Sequence, residues 1–252
     1  MWAGIKEYCG DEEEKDEEDI GEEEEKEVEE EKEYKYEGTD RQTLLLMDSH
    51  VKIIKAKLIE EEIGGRLFTG QFNCSNRVYN SGPCPNALKP GQNLQAQLPK
   101  LLKKRPYTHL IVQSSCNDIT NQMGIADIDL LFQMAKKSSE TTVNCAVSAF
   151  TICPTLRSVL ILPRSPRADN VVASDVSEYG NDSLVPAIFQ TGHSNIKLGS
   201  MKSIPVKTDE EIKDLFGSGD FIHMRGEKGR DLYTMAIISS IRSNGLSIKS
   251  QG

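Results

Sequence analysis

The 252-residue sequence predicts an α/β domain in which a parallel sheet is covered by helices on both faces. Two observations point to it. From residue 41 onward, short apolar runs alternate with segments of helical period. The runs are continuous rather than alternating, as in Leu44-Leu45-Leu46-Met47 and Leu110-Ile111-Val112. That is the pattern of strands buried on both faces. A third observation sets the limits of the domain. Residues 1–40 hold 20 Asp/Glu and 5 Lys, whereas the rest of the chain holds 19 acids and 25 bases. The overall charge of −9 therefore belongs to an N-terminal arm, and the remainder is net basic.

The elements follow in order. Thr43–Ser49 reads as a buried strand. Val51–Glu62 carries apolar residues at 51, 53, 54, 58 and 59, with 63 just beyond, which suits one amphipathic helix. Arg66–Gly70 is a short strand, and residues 71–92, rich in Asn, Ser, Gly and Pro, form a loop. Asn93–Lys104 is helical, with Leu94, Leu98, Leu101 and Leu102 on one side and Pro106 beyond its end. His109–Ser115 is the second clear strand. Ile125–Lys137 and Ser139–Ile152 read as two helices, Ser158–Leu162 as a buried strand, and Ser177–Phe189 as helical around Pro186. Ile196–Met201 is the last strand. Asp209–Phe216 and Lys228–Ile241 are the closing helices. In such a fold the working residues sit beyond the carboxyl ends of the strands. Ser49, Asn117 and the segment after Met201 are expected there.

Residues 1–40 are expected to be a disordered acidic arm, because the run over 11–33 cannot bury enough apolar surface to offset chain ordering. Its functional reading is docking to a basic partner; its plain reading is a solvated linker. The domain is expected over 41–243, with a tail at 244–252. The N-terminus shows no basic region followed by an apolar one, and no run approaches the ~20 apolar residues of a membrane span. An intracellular, cytoplasmic protein without a signal peptide is the expectation. Cys9, Cys74, Cys84, Cys116, Cys145 and Cys153 show no C-x-x-C spacing, so neither a zinc site nor a redox motif is signalled, and free thiols are expected.

Four short stretches carry the chemistry. Met47-Asp48-Ser49-His50 follows the first strand, and Pro90-Gly91-Gln92 precedes the helix before the second. Ser115-Cys116-Asn117-Asp118 follows that strand, and Asp220-Phe221-Ile222-His223 precedes the final helix. The last places a carboxylate three residues before an imidazole, the pair that a serine nucleophile needs for proton removal and for orienting its base. Taken in this order, the stretches resemble the SGNH/GDSL hydrolase superfamily over roughly residues 43–242. The resemblance implies a flavodoxin-like, three-layer α/β/α domain and a serine esterase. It implies Ser49 as nucleophile, His223 as general base and Asp220 as the group orienting it. Gly91 and Asn117 would join the Ser49 N–H in an oxyanion hole. The substrate would be a small-molecule or acylated ester, and no metal or organic cofactor is implied. Met47 and Ser115 stand where the family pattern has glycine. They motivate the alternative, an SGNH-fold module that binds without catalysing.

The remaining polar residues have plainer readings. Asp48 is expected to cap the helix from Val51 onward. His50 and His109 are expected to be structural or exposed, and His193 lies in a polar loop. Cys116, beside Asn117, is a weak candidate for a thiol nucleophile. Arg164 and Arg167 bracket Pro166 just after a strand; they could contact a substrate anion there or hold the loop by ion pairs. Lys100, Lys103, Lys104 and Arg105 cluster at a helix end, where they complement its dipole. The aromatic interleaving expected of nucleic-acid binding is missing around them.

Overall fold

The structure, a computed structural model, describes residues 41–72, 92–114, 127–168, 171–202, 204, 209–216 and 223–248. The acidic arm, Gly91, Ser115, Cys116, Asn117 and Asp220 lie outside these residues. Five strands form one sheet: β1 (Gln42–Met47), β2 (Arg66–Gln71), β3 (His109–Gln113), β4 (Ser158–Leu162) and β5 (Ile196–Leu198). Every pairing is parallel, and the order is β2-β1-β3-β4-β5. The chain thus steps outward from β1 to β2 and then crosses back to build the other side. The reversal lies between β1 and β3, and in open α/β sheets the crevice at that switch point is where ligands bind.

The two faces of the sheet are covered by different helices. Leu45, Met47, Ile111, Leu160 and Leu162 point to one face, where α1 (Ala56–Ile63), α6 (Asp209–Phe216) and α7 (Glu227–Ser243) bury Ile59, Phe216, Tyr233 and Ile237. Leu44, Leu46, Leu110, Val112 and Ile161 point to the other. There they meet α2 (Gln92–Leu102), α3 (Ile128–Ile152) and α5 (Leu184–Thr191) through Leu98, Ala146 and Leu184. Alternate residues of β1, β3 and β4 thus feed separate cores, which explains their unbroken apolar runs. A smaller cluster of Leu131, Ala135, Ala173 and Val176 joins α3 to α4 (Val171–Asp182).

Four predicted helices differ from those observed. Val51–Glu62 is not one helix: Ser49–Lys52 is a 3-10 turn, and α1 begins only at Ala56. Tertiary partners on α7 hold the break. Lys55 N–H donates to Thr234 Oγ1 (3.1 Å), and Arg230 Nε donates to the Ile53 carbonyl (3.3 Å). These groups would otherwise be satisfied inside a continuous helix, and an interhelix clamp replaces the internal ladder. The two helices expected between 125 and 152 are a single one, capped by the Asp127 side chain on Leu130 N–H. Ser177–Phe189 spans the end of one helix and most of the next. Pro186 sits within the first turn of α5, where its missing N–H has no intrahelical partner to lose. Among the described residues no helix is long and apolar enough to cross a membrane. Cys145 and Cys153 are buried free thiols.

Candidate active site

At the end of β1 the chain turns sharply. Met47 still pairs with Gln71, its carbonyl accepts the Phe72 N–H (2.9 Å), and its side chain is fully buried in the core. Asp48 follows at φ −77°, so the turn uses ordinary negative-φ backbone here. Methionine in place of the family's glycine therefore extends the strand rather than straining the turn. The 3-10 turn then presents Ser49, closed by Val51 N–H on the Asp48 carbonyl (3.2 Å).

His223 arrives from the far end of the chain. Met224, fully buried, anchors the segment in the core beside α6 and α7. Gly226 and Gly229 allow the close approach: a Cβ on either would lie 2.4 Å and 2.1 Å from the carbonyl oxygens of Asp214 and Leu215. The result places Ser49 Oγ 2.5 Å from His223 Nε2. A serine hydroxyl and an imidazole are thus within hydrogen-bond reach at the switch point of the sheet.

Behind this pair lies a polar network without counterpart in the sequence reading. His50 is fully buried, and its Nδ1 sits 2.6 Å from Oδ1 of the equally buried Asp48. The same oxygen accepts the His50 backbone N–H (3.0 Å). With Nδ1–H donating to Asp48, Nε2 is left to accept the Ser165 hydroxyl (2.9 Å). The His50 ring packs against His223, centroids 4.7 Å apart, and stacks on Tyr233 at 5.6 Å. Tyr233 OH accepts from Gln113 Nε2 (2.6 Å), which also donates to the Pro163 carbonyl (3.2 Å). Asp48 does cap the turn, as its position suggests, but it also fixes an imidazole. One signal for this was available: an Asp two residues before a His can close on it through a local side-chain-to-backbone turn. Gln113, Ser165 and Tyr233 carry no such signal, because only the fold brings them together.

Ser165 also lines a cleft of about 450 Å³ at the carboxyl ends of β4 and β5, with Pro163, Ser177, Val185, Leu198 and Met201. Arg164 and Arg167 border it and are both buried. The Arg164 guanidinium is engaged with α3, donating to Ser139 Oγ (2.9 Å) and the Ala135 carbonyl (3.3 Å), and it packs over Gly180. These acceptors are neutral, so the contacts tie the loop to α3 by hydrogen bonds rather than by ion pairs. His109 is buried at the opposite end of the sheet, and His193 stacks on Phe150 (5.8 Å). In the basic cluster, Arg105 lies over the Phe68 ring at 4.6 Å. Among the described residues no three His, Cys, Asp or Glu gather as a metal site.

No protein-family model matches the sequence, and no curated protein matches it. Solved structures do match by fold. A lipase from a goat rumen metagenome superposes with a TM-score of 0.54 at 14% identity, covering 82% of this chain and 99% of its own. A variant of an acetyl xylan esterase from Geobacillus stearothermophilus gives 0.52 at 12% identity, covering 84% and 97%. A protein assigned as a GDSL-like lipase from Bacteroides ovatus gives 0.51 at 13%, covering 82% of this chain and 54% of its own. The five-stranded parallel sheet between two helical layers is an SGNH/GDSL hydrolase-like fold.

Proposed function

We propose that the protein is a serine esterase in which Ser49 attacks an ester carbonyl. The observation that carries this reading is the 2.5 Å separation of Ser49 Oγ and His223 Nε2 at the carboxyl end of β1. A serine hydroxyl is a weak nucleophile until a base takes its proton, and His223 is the group in position to do so. His223 takes the proton as the Oγ–carbonyl bond forms. It then returns the proton to the departing alcohol, leaving an acyl-Ser49 ester. Water, deprotonated by the same imidazole, releases the acid and restores Ser49.

In this proposal Asp220 orients His223 and stabilises the imidazolium. Gly91 and Asn117 supply donors to the oxyanion with the Ser49 N–H, each worth on the order of 3 kcal/mol in the transition state. The cleft beside Ser165 has the size for one arm of a small ester. The fold neighbours include lipases and an acetyl xylan esterase, which supports an ester as the substrate class. The acidic arm remains a proposed docking segment for a basic partner.

The test is covalent labelling by a fluorophosphonate together with hydrolysis of p-nitrophenyl acetate. Both are expected in the wild-type protein and lost in Ser49→Ala. A folded wild-type protein that neither labels nor hydrolyses would overturn the esterase and leave the non-catalytic binding module.

A further inference from the structure

The molecule packs two imidazoles against each other, tilted by 33°. One belongs to the proposed reaction. The other, His50, is buried deeper and is fixed at both ring nitrogens, by Asp48 Oδ1 at 2.6 Å and by Ser165 Oγ at 2.9 Å. Its ring plane is set a third time by stacking on Tyr233. Tyr233 is itself fixed through its hydroxyl by Gln113, which reaches back to the Pro163 carbonyl of the loop that carries Ser165. The network thus draws on the ends of β1, β3 and β4 and on α7, and every side chain in it is buried. Such an arrangement is costly to assemble, since each polar group must find its partner away from water. What it presents outward is one aromatic face, against His223 at 4.7 Å and 33°.

We propose that His50 is a positioning residue: a fixed aromatic wall that holds the His223 ring in the one rotamer that puts Nε2 on Ser49. This rests on the reading of Ser49 and His223 as nucleophile and base. His223 is only half-buried and enters from a short segment before α7, so a ring packed against one side adds to what its ring-nitrogen partners do to hold its side-chain torsions. A wall on one side removes the competing rotamers before substrate arrives.

Two substitutions separate the wall from a merely structural role. His50→Phe keeps an aromatic face and loses both ring hydrogen bonds; His50→Ala removes the face. With p-nitrophenyl acetate, kcat is expected to fall about 30-fold in His50→Ala with KM unchanged, and to stay within about 3-fold of wild type in His50→Phe. Crystal structures of the three proteins give a readout independent of turnover. His223 is expected in a single position on Ser49 in the wild type and His50→Phe, and in several in His50→Ala. A folded His50→Ala variant with wild-type kcat or a single His223 position overturns the proposal. So does a folded His50→Phe variant as slow as His50→Ala. If the wild-type protein itself is inert toward ester and fluorophosphonate, the esterase reading falls, and the His223 positions still decide whether the wall exists.

Discussion

The two ends of the sheet bury histidines for opposite purposes. At the amino end His109 opens β3 with its Nδ1 on Thr108 Oγ1 (2.9 Å). Burial, with the nearby Arg41 and Arg157 charges, lowers its pKa to about 4. It is a neutral packing residue in a region where charges serve as clamps. Arg41 donates to the carbonyls of Ile63 and Leu246, and Glu62 receives two hydrogen bonds from Arg242 and one from Ser247. At the carboxyl end His50 faces a carboxylate and a hydroxyl, and His223 faces a serine. One end ties distant segments together; the other keeps proton donors and acceptors aligned. The lesson is that a buried histidine says little until its partners are known.

This contrast can be broken in a definite order. The largest effect expected is at the carboxyl end: His223→Ala should lower ester hydrolysis by at least about 10³-fold while the thermal midpoint moves by only a few degrees. A loss of fold rather than of rate would put His223 among the clamps. Next, Glu62→Ala at the amino end removes a buried carboxylate with three donors and should cost about 3 kcal/mol in denaturant unfolding, with kcat unchanged. A fall in kcat in the folded variant would show that the two ends are coupled.

A smaller effect belongs to His109. Because its folded pKa lies below the ordinary 6.5, the unfolded chain binds the extra proton between those values. Stability should therefore fall as pH drops from about 6.5 to 4, by about 2 kcal/mol after screening by the water at its edge. The slope should flatten in His109→Gln, as read by unfolding at several pH values; an unchanged slope would assign it to other groups. Smallest, Tyr233→Phe keeps the ring under His50 but leaves the Gln113 amide one acceptor short, at a cost of about 1 kcal/mol. Its kcat should stay within about 3-fold of wild type, since the wall is intact.

The sequence was informative wherever a signal is local. Ser158–Leu162 and Asp209–Phe216 are the strand and helix their apolar patterns predict, and the layered fold follows from runs buried on both sides. The meeting of Ser49 and His223 was legible because each sits in a short motif next to a regular element. The failures share one cause. Residues 51–62 have helical period throughout, yet the ladder is interrupted by Thr234 and Arg230, more than 170 positions away. His50, expected to be structural or exposed, is structural, but its network was not legible because Ser165, Tyr233 and Gln113 carry no mark of their own. Periodicity describes one segment at a time, and these features exist only between segments.

The clamp from α7 onto the turn after Ser49 also bears on when the protein can work. Ser49 and His223 are 174 positions apart, and the residues that secure the break at 53–55 come later still, on the helix that follows His223. A chain emerging from the ribosome can close β1 on β2 and β3 early. It has neither the His223 contact nor the brace for Ser49 until α7 has been made and has docked. On the proposed esterase reading the unfinished chain is silent, and ester hydrolysis becomes a late reporter of complete folding.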